Sequence, residues 1–121
     1  MKANTIFYWI TTAIVSLMML STAYQYITNP KMDAAFSHLG FPAYFRIELA
    51  CAKAIGALVL IIPRIPVRIK NWAYAGFGIT YISAAIAHIN SGDPTKMIVM
   101  PLIVFVVLII SYMCAYKTNR V

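Results

Sequence analysis

The sequence predicts an all-α protein that is built into a membrane as a four-helix bundle. Of its 121 residues, 62% are hydrophobic and only 11% are charged, whereas soluble domains contain about 25% charged residues. A water-soluble domain of this length could not bury so much apolar surface. The chain also contains four apolar segments of about 20 residues, the length that a helix needs to cross a bilayer. We therefore predict one transmembrane domain over residues 1–121.

The first predicted span covers residues 6–27 and ends before Asn29 and Pro30, because proline interrupts a helix. Lys2 and the apolar stretch after it are also typical of a secretory signal peptide, with small residues at 21–23 where cleavage would occur. The apolar stretch continues past that point to the end of the span. We therefore expect an uncleaved helix.

The loop that follows, residues 29–43, is the longest connection, and we place it on the outer side of the membrane. Its apolar residues recur at helical spacing, and Gly40 can end such a helix. We expect a short helix that lies on the outer membrane face, either as a connector or as a lid over a site. The recurring residues are Met32, Ala35, Phe36 and Leu39.

Three further spans are predicted over residues 44–62, 69–89 and 97–116. Pro63 stops the first of these, and the Ser-Gly-Asp-Pro turn at 91–94 precedes the last. The span 69–89 is the least apolar, and without it the C-terminus would lie on the opposite side. The chain shows no alternating pattern typical of strands and no internal repeat.

The basic residues predict that both termini are cytoplasmic, since short cytoplasmic loops collect lysine and arginine. Six bases lie on the side of the termini and the second loop, against three on the other side, where both aspartates also lie. The net charge of +7 does not indicate a nucleic-acid partner, because most bases flank apolar runs and form no stripe. The six bases are Lys2, Arg64, Arg68, Lys70, Lys117 and Arg120, and the three are Lys31, Arg46 and Lys96.

Ionisable residues inside a span are costly and indicate function. Lys53 lies nine residues from each end of the second span, and helical geometry puts it on the same face as Ala50 and Ala57. We therefore expect Lys53 to point into the bundle. Glu48 points about 140° away, so each needs a partner on another helix, unless Glu48 reaches the outer interface. The alternative is a purely structural ion pair or polar clamp.

Several polar residues from different spans lie at one depth in the outer half of the predicted bundle. An aromatic stripe on the third span adjoins them, and its rings would suit an apolar, ring-shaped ligand such as a quinone. Such stripes are more often core or lipid contacts. The predicted ligand-binding residues are Gln25, Arg46, Glu48, Lys53, Tyr81 and His88.

We expect no metal centre, since His38 and His88 belong to no cluster with the spacing of metal ligands. Cys51 and Cys114 form no Cys-x-x-Cys motif, and their depths differ by about 15 Å at the rise of a helix. A disulfide requires much closer approach. A dithiol enzyme is therefore disfavoured.

A set of short segments together resembles the DoxX-like family of small four-helix bacterial membrane proteins, over nearly the whole chain. Many broader members carry a glutamate at the place of Lys53, before a glycine pair that reads Gly56-Ala57 here. The segments are 29–30, 34–36, 38–45, 48–50, 52–53, 56–57, 72–77, 87–88 and 91–94.

The resemblance implies a multi-pass protein of the bacterial inner membrane. Some relatives are membrane subunits of thiosulfate:quinone oxidoreductase, others accompany methylamine-utilisation or oxidative-stress complexes, and distant eukaryotic relatives are assembly chaperones. We therefore expect a redox-linked subunit that binds a quinone or a redox partner. Lys53 would donate to a carbonyl-like oxygen, and His88 or Glu48 would move protons.

Two other functions remain open. In the first, the protein is a non-catalytic assembly module whose Lys53 and Glu48 are structural, and whose small-residue faces recruit a second copy or another membrane or periplasmic protein. In the second, it transports a small solute. We rank transport last, because four short spans enclose little space and no discontinuous helix pair is visible.

Overall fold

The computed structural model describes residues 2–121, which form five helices and no strand. They are α1 (Lys2–Thr28), α2 (Lys31–His38), α3 (Ala43–Ile61), α4 (Val67–Asn90) and α5 (Thr95–Lys117). The predicted all-α class is confirmed. The four long helices coincide with the four predicted spans, and their ends differ from the predicted ends by at most four residues.

Two of the helices, α1 and α5, are long and apolar enough to cross a membrane, as judged by length and composition. Only 22% of the apolar window of α5 is buried, whereas the core helix of a soluble protein is mostly buried. Every 18-residue stretch of α3 contains three charged residues, namely Arg46, Glu48 and Lys53. Four crossings therefore remain a prediction.

The four long helices contact one another as a ring. α1 packs against α3 and α5, and α4 packs against the same two helices. The contact between α3 and α4 is the least extensive of the four. Each long helix contributes to the shared core, whose largest fully buried side chains include Tyr8, Met19 and Leu60.

Several polar side chains point inward, and many large apolar ones point outward. Thr12, Ser16 and Ser111 are completely buried, while Ile79 is 67% exposed and Trp72 is 70% exposed. In water this distribution would be unfavourable, because large apolar areas would stay solvated. In lipid the apolar exterior costs nothing, and inward hydroxyls can bond between helices.

The short helix α2 confirms that the loop over residues 29–43 contains a helix. Gly40 ends it with a positive φ of 86°, and its N–H donates to the Ser37 carbonyl at 3.0 Å. The Phe41 N–H donates to the Phe36 carbonyl at 2.9 Å, which completes a Schellman cap. Phe36 is the only residue of α2 that is buried. It fixes α2 against α1 and α3.

Candidate functional site

Lys53 is buried between α3 and α1, with 7% of its surface exposed. Its Nζ donates to the Tyr26 hydroxyl at 2.7 Å and to the Thr22 hydroxyl at 3.3 Å. Both partners lie on α1, in agreement with the inward orientation that helical geometry predicts. The structure of residues 2–121 shows no carboxylate in an ion pair with this ammonium group.

A groove of about 340 Å³ runs between α3 and α4, and Lys53 is the only charged residue among those that line it. The side chains on both helices are small along the groove and so create this open space. The contact between α3 and α4 is sparse for the same reason. Phe77 and Trp72 contribute aromatic walls. An apolar molecule with one polar end could therefore lie along the helices with that end at Lys53. The small residues of the lining are Ala52, Gly56, Ala73 and Gly76.

The end of α1 that carries Tyr26 is covered by α2. The rings of Tyr26 and Phe36 meet edge to face with centroids 4.9 Å apart. From α3, the Arg46 guanidinium donates to the Tyr26 carbonyl. Arg46 and Phe36 thus hold Tyr26 in the position from which its hydroxyl accepts a hydrogen bond from Lys53.

The other predicted site residues are placed differently. Gln25 and Glu48 are exposed, and the part of the chain that the structure describes offers neither side chain a polar partner. Tyr81 is 9% exposed and belongs to the shared core. His88 lies at the end of α4, where it bonds Asp93. Of the six predicted residues, Lys53 lines the groove and Arg46 supports the tyrosine beside it.

His88 belongs to a cluster that the sequence analysis did not predict. The Asp93 carboxylate bonds His88 Nδ1 at 2.6 Å and His38 Nε2 at 2.7 Å. These hydrogen bonds, the one with His88 first, hold the pKa of Asp93 below its usual 3.8. Across residues 2–121, no three histidine, cysteine or acidic residues are arranged to hold a metal ion.

Of the two contacts in this cluster, the local sequence can indicate the one between His88 and Asp93. Gly92 ends α4 with a φ of 71°, and the Asp93 N–H returns to the His88 carbonyl at 3.1 Å. This cap brings residues five apart side by side. His38 lies 55 residues from Asp93, and nothing in the local pattern indicates their contact.

A second buried cation, Lys70, was also missed, because the sequence analysis counted it as a loop base. Only 2% of its surface is exposed. Its Nζ donates to the Tyr8 hydroxyl at 3.2 Å and to the Leu60 carbonyl at 3.3 Å. The two cysteines are unpaired, Cys51 exposed and Cys114 buried.

The sequence model of the DoxX-like family matches residues 10–111. The matched segment includes the groove, Lys53 and its α1 partners, and the histidine–aspartate cluster. No curated protein and no solved structure gives a significant match. The apolar exterior and the family match agree with each other: this chain is a membrane protein and belongs to the DoxX-like family.

Proposed function

We propose that the protein is a redox-linked subunit of the bacterial inner membrane, which binds a quinone in the groove between α3 and α4. The observation that carries this proposal is the incomplete hydrogen bonding of the Lys53 ammonium group. An ammonium group has three donors, and Tyr26 and Thr22 accept two of them. The third is available to a ligand in the groove that Lys53 lines.

The groove favours a quinone over a soluble substrate. Its lining is apolar apart from Lys53 and Thr80, so a ligand that already resides in lipid meets little desolvation cost. A volume of about 340 Å³ lies in the usual range for small-molecule sites, roughly 300–1,000 Å³. A quinone ring could lie flat against the small residues while one of its carbonyls accepts a hydrogen bond from Lys53.

The proposal includes four crossings by one domain, with both termini in the cytoplasm. The six bases at the end of the termini support this orientation. Because the groove has room for one ligand and is lined by few further polar groups, we propose that a partner protein carries out the redox reaction. That partner would dock at the outer end, where Glu48 is exposed.

The second candidate function is an assembly module in which Lys53 only joins α3 to α1. The two hydrogen bonds from Lys53 to α1 favour it, because they bring a lysine into the core without any ligand. In this case the groove would be filled by lipid or by a helix of another membrane protein.

Trp72 lines the groove and can report quinone binding. In a Trp9→Phe background, purified protein in neutral detergent would be titrated with a short-chain ubiquinone while Trp72 fluorescence is recorded. We expect saturable quenching, and Lys53→Met should weaken binding about tenfold or more, since a hydrogen bond to a charged group contributes about 1.5–3 kcal/mol. Lys96→Met, an exposed lysine outside the groove, is the matched control.

A second variant separates binding from folding. A Cβ atom added at Gly76 would meet nothing within 4 Å, so the side chain of Gly76→Leu can extend into the groove that Gly76 lines. We expect it to fill the groove while Lys53 and its α1 partners stay intact. Loss of quenching in both variants, with helical circular dichroism unchanged, supports a binding site. Unquenched Trp72 in the parent protein, or equal quenching in all variants, contradicts the proposal.

A further inference from the structure

The end of the molecule that carries both termini contains a second pocket, unrelated to the groove. It measures about 480 Å³ and lies between the start of α1 and the residues after α5. Two of its lining residues are cations, Lys2 and Arg120. The described residues that line it are Lys2, Thr5, Ile6, Thr118, Asn119 and Arg120.

The end of α5 sets the position of Arg120. Asn119 adopts a positive φ of 60°, and the Arg120 N–H then returns to the Ala115 carbonyl at 2.8 Å. This turn folds the chain over α1, where the guanidinium carbon lies 4.8 Å from the Tyr8 ring centroid and 5.5 Å from that of Trp9. Arg120 Nε is buried and has no hydrogen-bond partner in residues 2–121.

A second cation, Lys70, contacts the same tyrosine, Tyr8. The Lys70 ammonium donates to the Tyr8 hydroxyl at 3.2 Å and to the Leu60 carbonyl at 3.3 Å, its hydrogen-bond partners among residues 2–121. No ion pair joins Lys70 or Arg120 to a carboxylate in the described chain. Tyr8 thus lies between two cations that no acidic side chain balances.

Among residues 2–121, no acidic side chain can supply that balance from this end. The chain has three acidic residues, and all of them belong to the opposite half: Asp33 on α2, Glu48 in the first turns of α3, and Asp93 after α4. Six bases lie at the end of the termini. An anion from outside the chain would therefore meet an uncompensated positive potential here.

We propose that this pocket binds the phosphate of an anionic membrane phospholipid. Arginine and lysine are the usual donors to phosphate oxygens. The pocket lies at the ends of two membrane-length helices, which is the depth of lipid headgroups. Ile6, 57% exposed, would contact the start of the acyl chains. A free phosphate shares the headgroup chemistry and is the source to be distinguished.

Trp9 reports on this pocket because Arg120 stacks on its ring. In a Trp72→Phe background, protein in neutral detergent would be titrated with dihexanoyl-phosphatidylglycerol, dihexanoyl-phosphatidylcholine or inorganic phosphate. We expect a saturable change in Trp9 emission with phosphatidylglycerol alone. Lys2→Gln and Arg120→Gln should each weaken binding about fivefold, the effect of one basic residue near an anionic lipid surface.

The double variant Arg64→Gln/Arg68→Gln is the control, since it removes two exposed bases from the same end without touching the pocket. We expect its affinity to stay within about twofold of the parent. Because Arg120→Gln also removes stacking on Tyr8, Lys2→Gln tests the pocket with that packing kept, and Arg120→Lys tests it with the charge kept. The charge-conserving Arg120→Lys should bind more tightly than Arg120→Gln.

Three outcomes would overturn the proposal. No response to phosphatidylglycerol would leave the pocket without a ligand. An equal loss in the control variant would show diffuse attraction and no site. Saturation by inorganic phosphate at the same concentration would assign the pocket to the free ion. Quinone quenching of Trp72 is a separate signal, so failure of one proposal leaves the other testable.

Discussion

Buried lysines in this protein are held by tyrosine hydroxyls where a soluble protein would use carboxylates. Tyr8 accepts from Lys70 and Tyr26 accepts from Lys53. These tyrosines are 18 residues apart on α1, which is five helical turns and about 27 Å. They therefore lie on one face of α1, one phenol near each end. A neutral acceptor leaves each ammonium charge uncompensated. Lys53, which also lines the groove, is therefore a candidate for a carbonyl ligand, whereas Lys70 adds to the positive potential at its own end.

Gly56 offers a direct test of packing beside Lys53. A methyl group at this position would lie 2.6 Å from Cζ of Phe77, whose side chain is only 5% exposed. We expect Gly56→Ala to lower the free energy of unfolding by about 1–3 kcal/mol, the usual cost of overpacking. Unfolding in mixed detergent, followed by circular dichroism, measures the change.

Gly76→Ala is the matched control, because a methyl group there meets nothing within 4 Å. Both glycines lie inside helices that line the same groove. Alanine favours a helix by up to about 1 kcal/mol relative to glycine, so this variant should be as stable as the parent or more stable. Equal effects of the two substitutions would contradict the close contact between α3 and α4 at Gly56.

At the scale of elements, the contact of α2 with the rest of the molecule depends on Asp93. Its carboxylate joins His38, at the end of α2, to His88, at the end of α4. Phe36 fixes the same helix from the other side. α2 is therefore held at two points above the Tyr26 end of α1, which is the arrangement that a lid over Lys53 would need.

We expect Asp93→Asn to lower the melting temperature in detergent, while Asp33→Asn, which removes an exposed carboxylate from α2 itself, leaves it unchanged. The folded-state pKa of Asp93 is lowered, mainly by the hydrogen bond with His88. A lowered pKa means that the stabilisation is present above the unfolded value of about 3.9 and is lost as the pH falls through the folded value. The difference between parent and Asp93→Asn should therefore shrink as the pH falls below about 4 and vanish at a pH well below the lowered pKa of Asp93. A difference that persists there would contradict this role.

The helices could be predicted from the sequence because the residues that indicate a helix and its ends are close together in the chain. Apolar residues recur at helical spacing from Met32 to Leu39, and Gly40 can end a helix, so α2 could be predicted. The inward direction of Lys53 follows from the helical period. Gln25 was chosen because it lies at the same depth as the other polar residues, and the structure shows its side chain exposed. The contact of His38 with Asp93 depends on how α2 packs, which no local pattern contains.

For the whole molecule, the segregation of charge gives the two ends different roles. All three acidic residues belong to the half that contains α2, and the pocket for which we propose a phosphate ligand lies at the end with six bases. If both proposals hold, one end faces the anionic lipids of the cytoplasmic leaflet and the other faces a redox partner outside. Both termini can lie on the cytoplasmic side only if the chain crosses the membrane an even number of times.

Labelling with a membrane-impermeant maleimide tests that orientation. Cys51 is exposed and Cys114 lies in the core, so a Cys51→Ser/Cys114→Ala chain is the background for three single variants: Ser37→Cys on α2, Arg64→Cys between α3 and α4, and Asn119→Cys after α5. In intact spheroplasts we expect only Ser37→Cys to react, and the other two to react after permeabilisation, because short basic loops stay in the cytoplasm. Reaction of Arg64→Cys in intact spheroplasts would reverse the orientation. Different behaviour of Arg64→Cys and Asn119→Cys would mean that α4 and α5 do not both cross, and the ring of four helices would then have to form outside the bilayer.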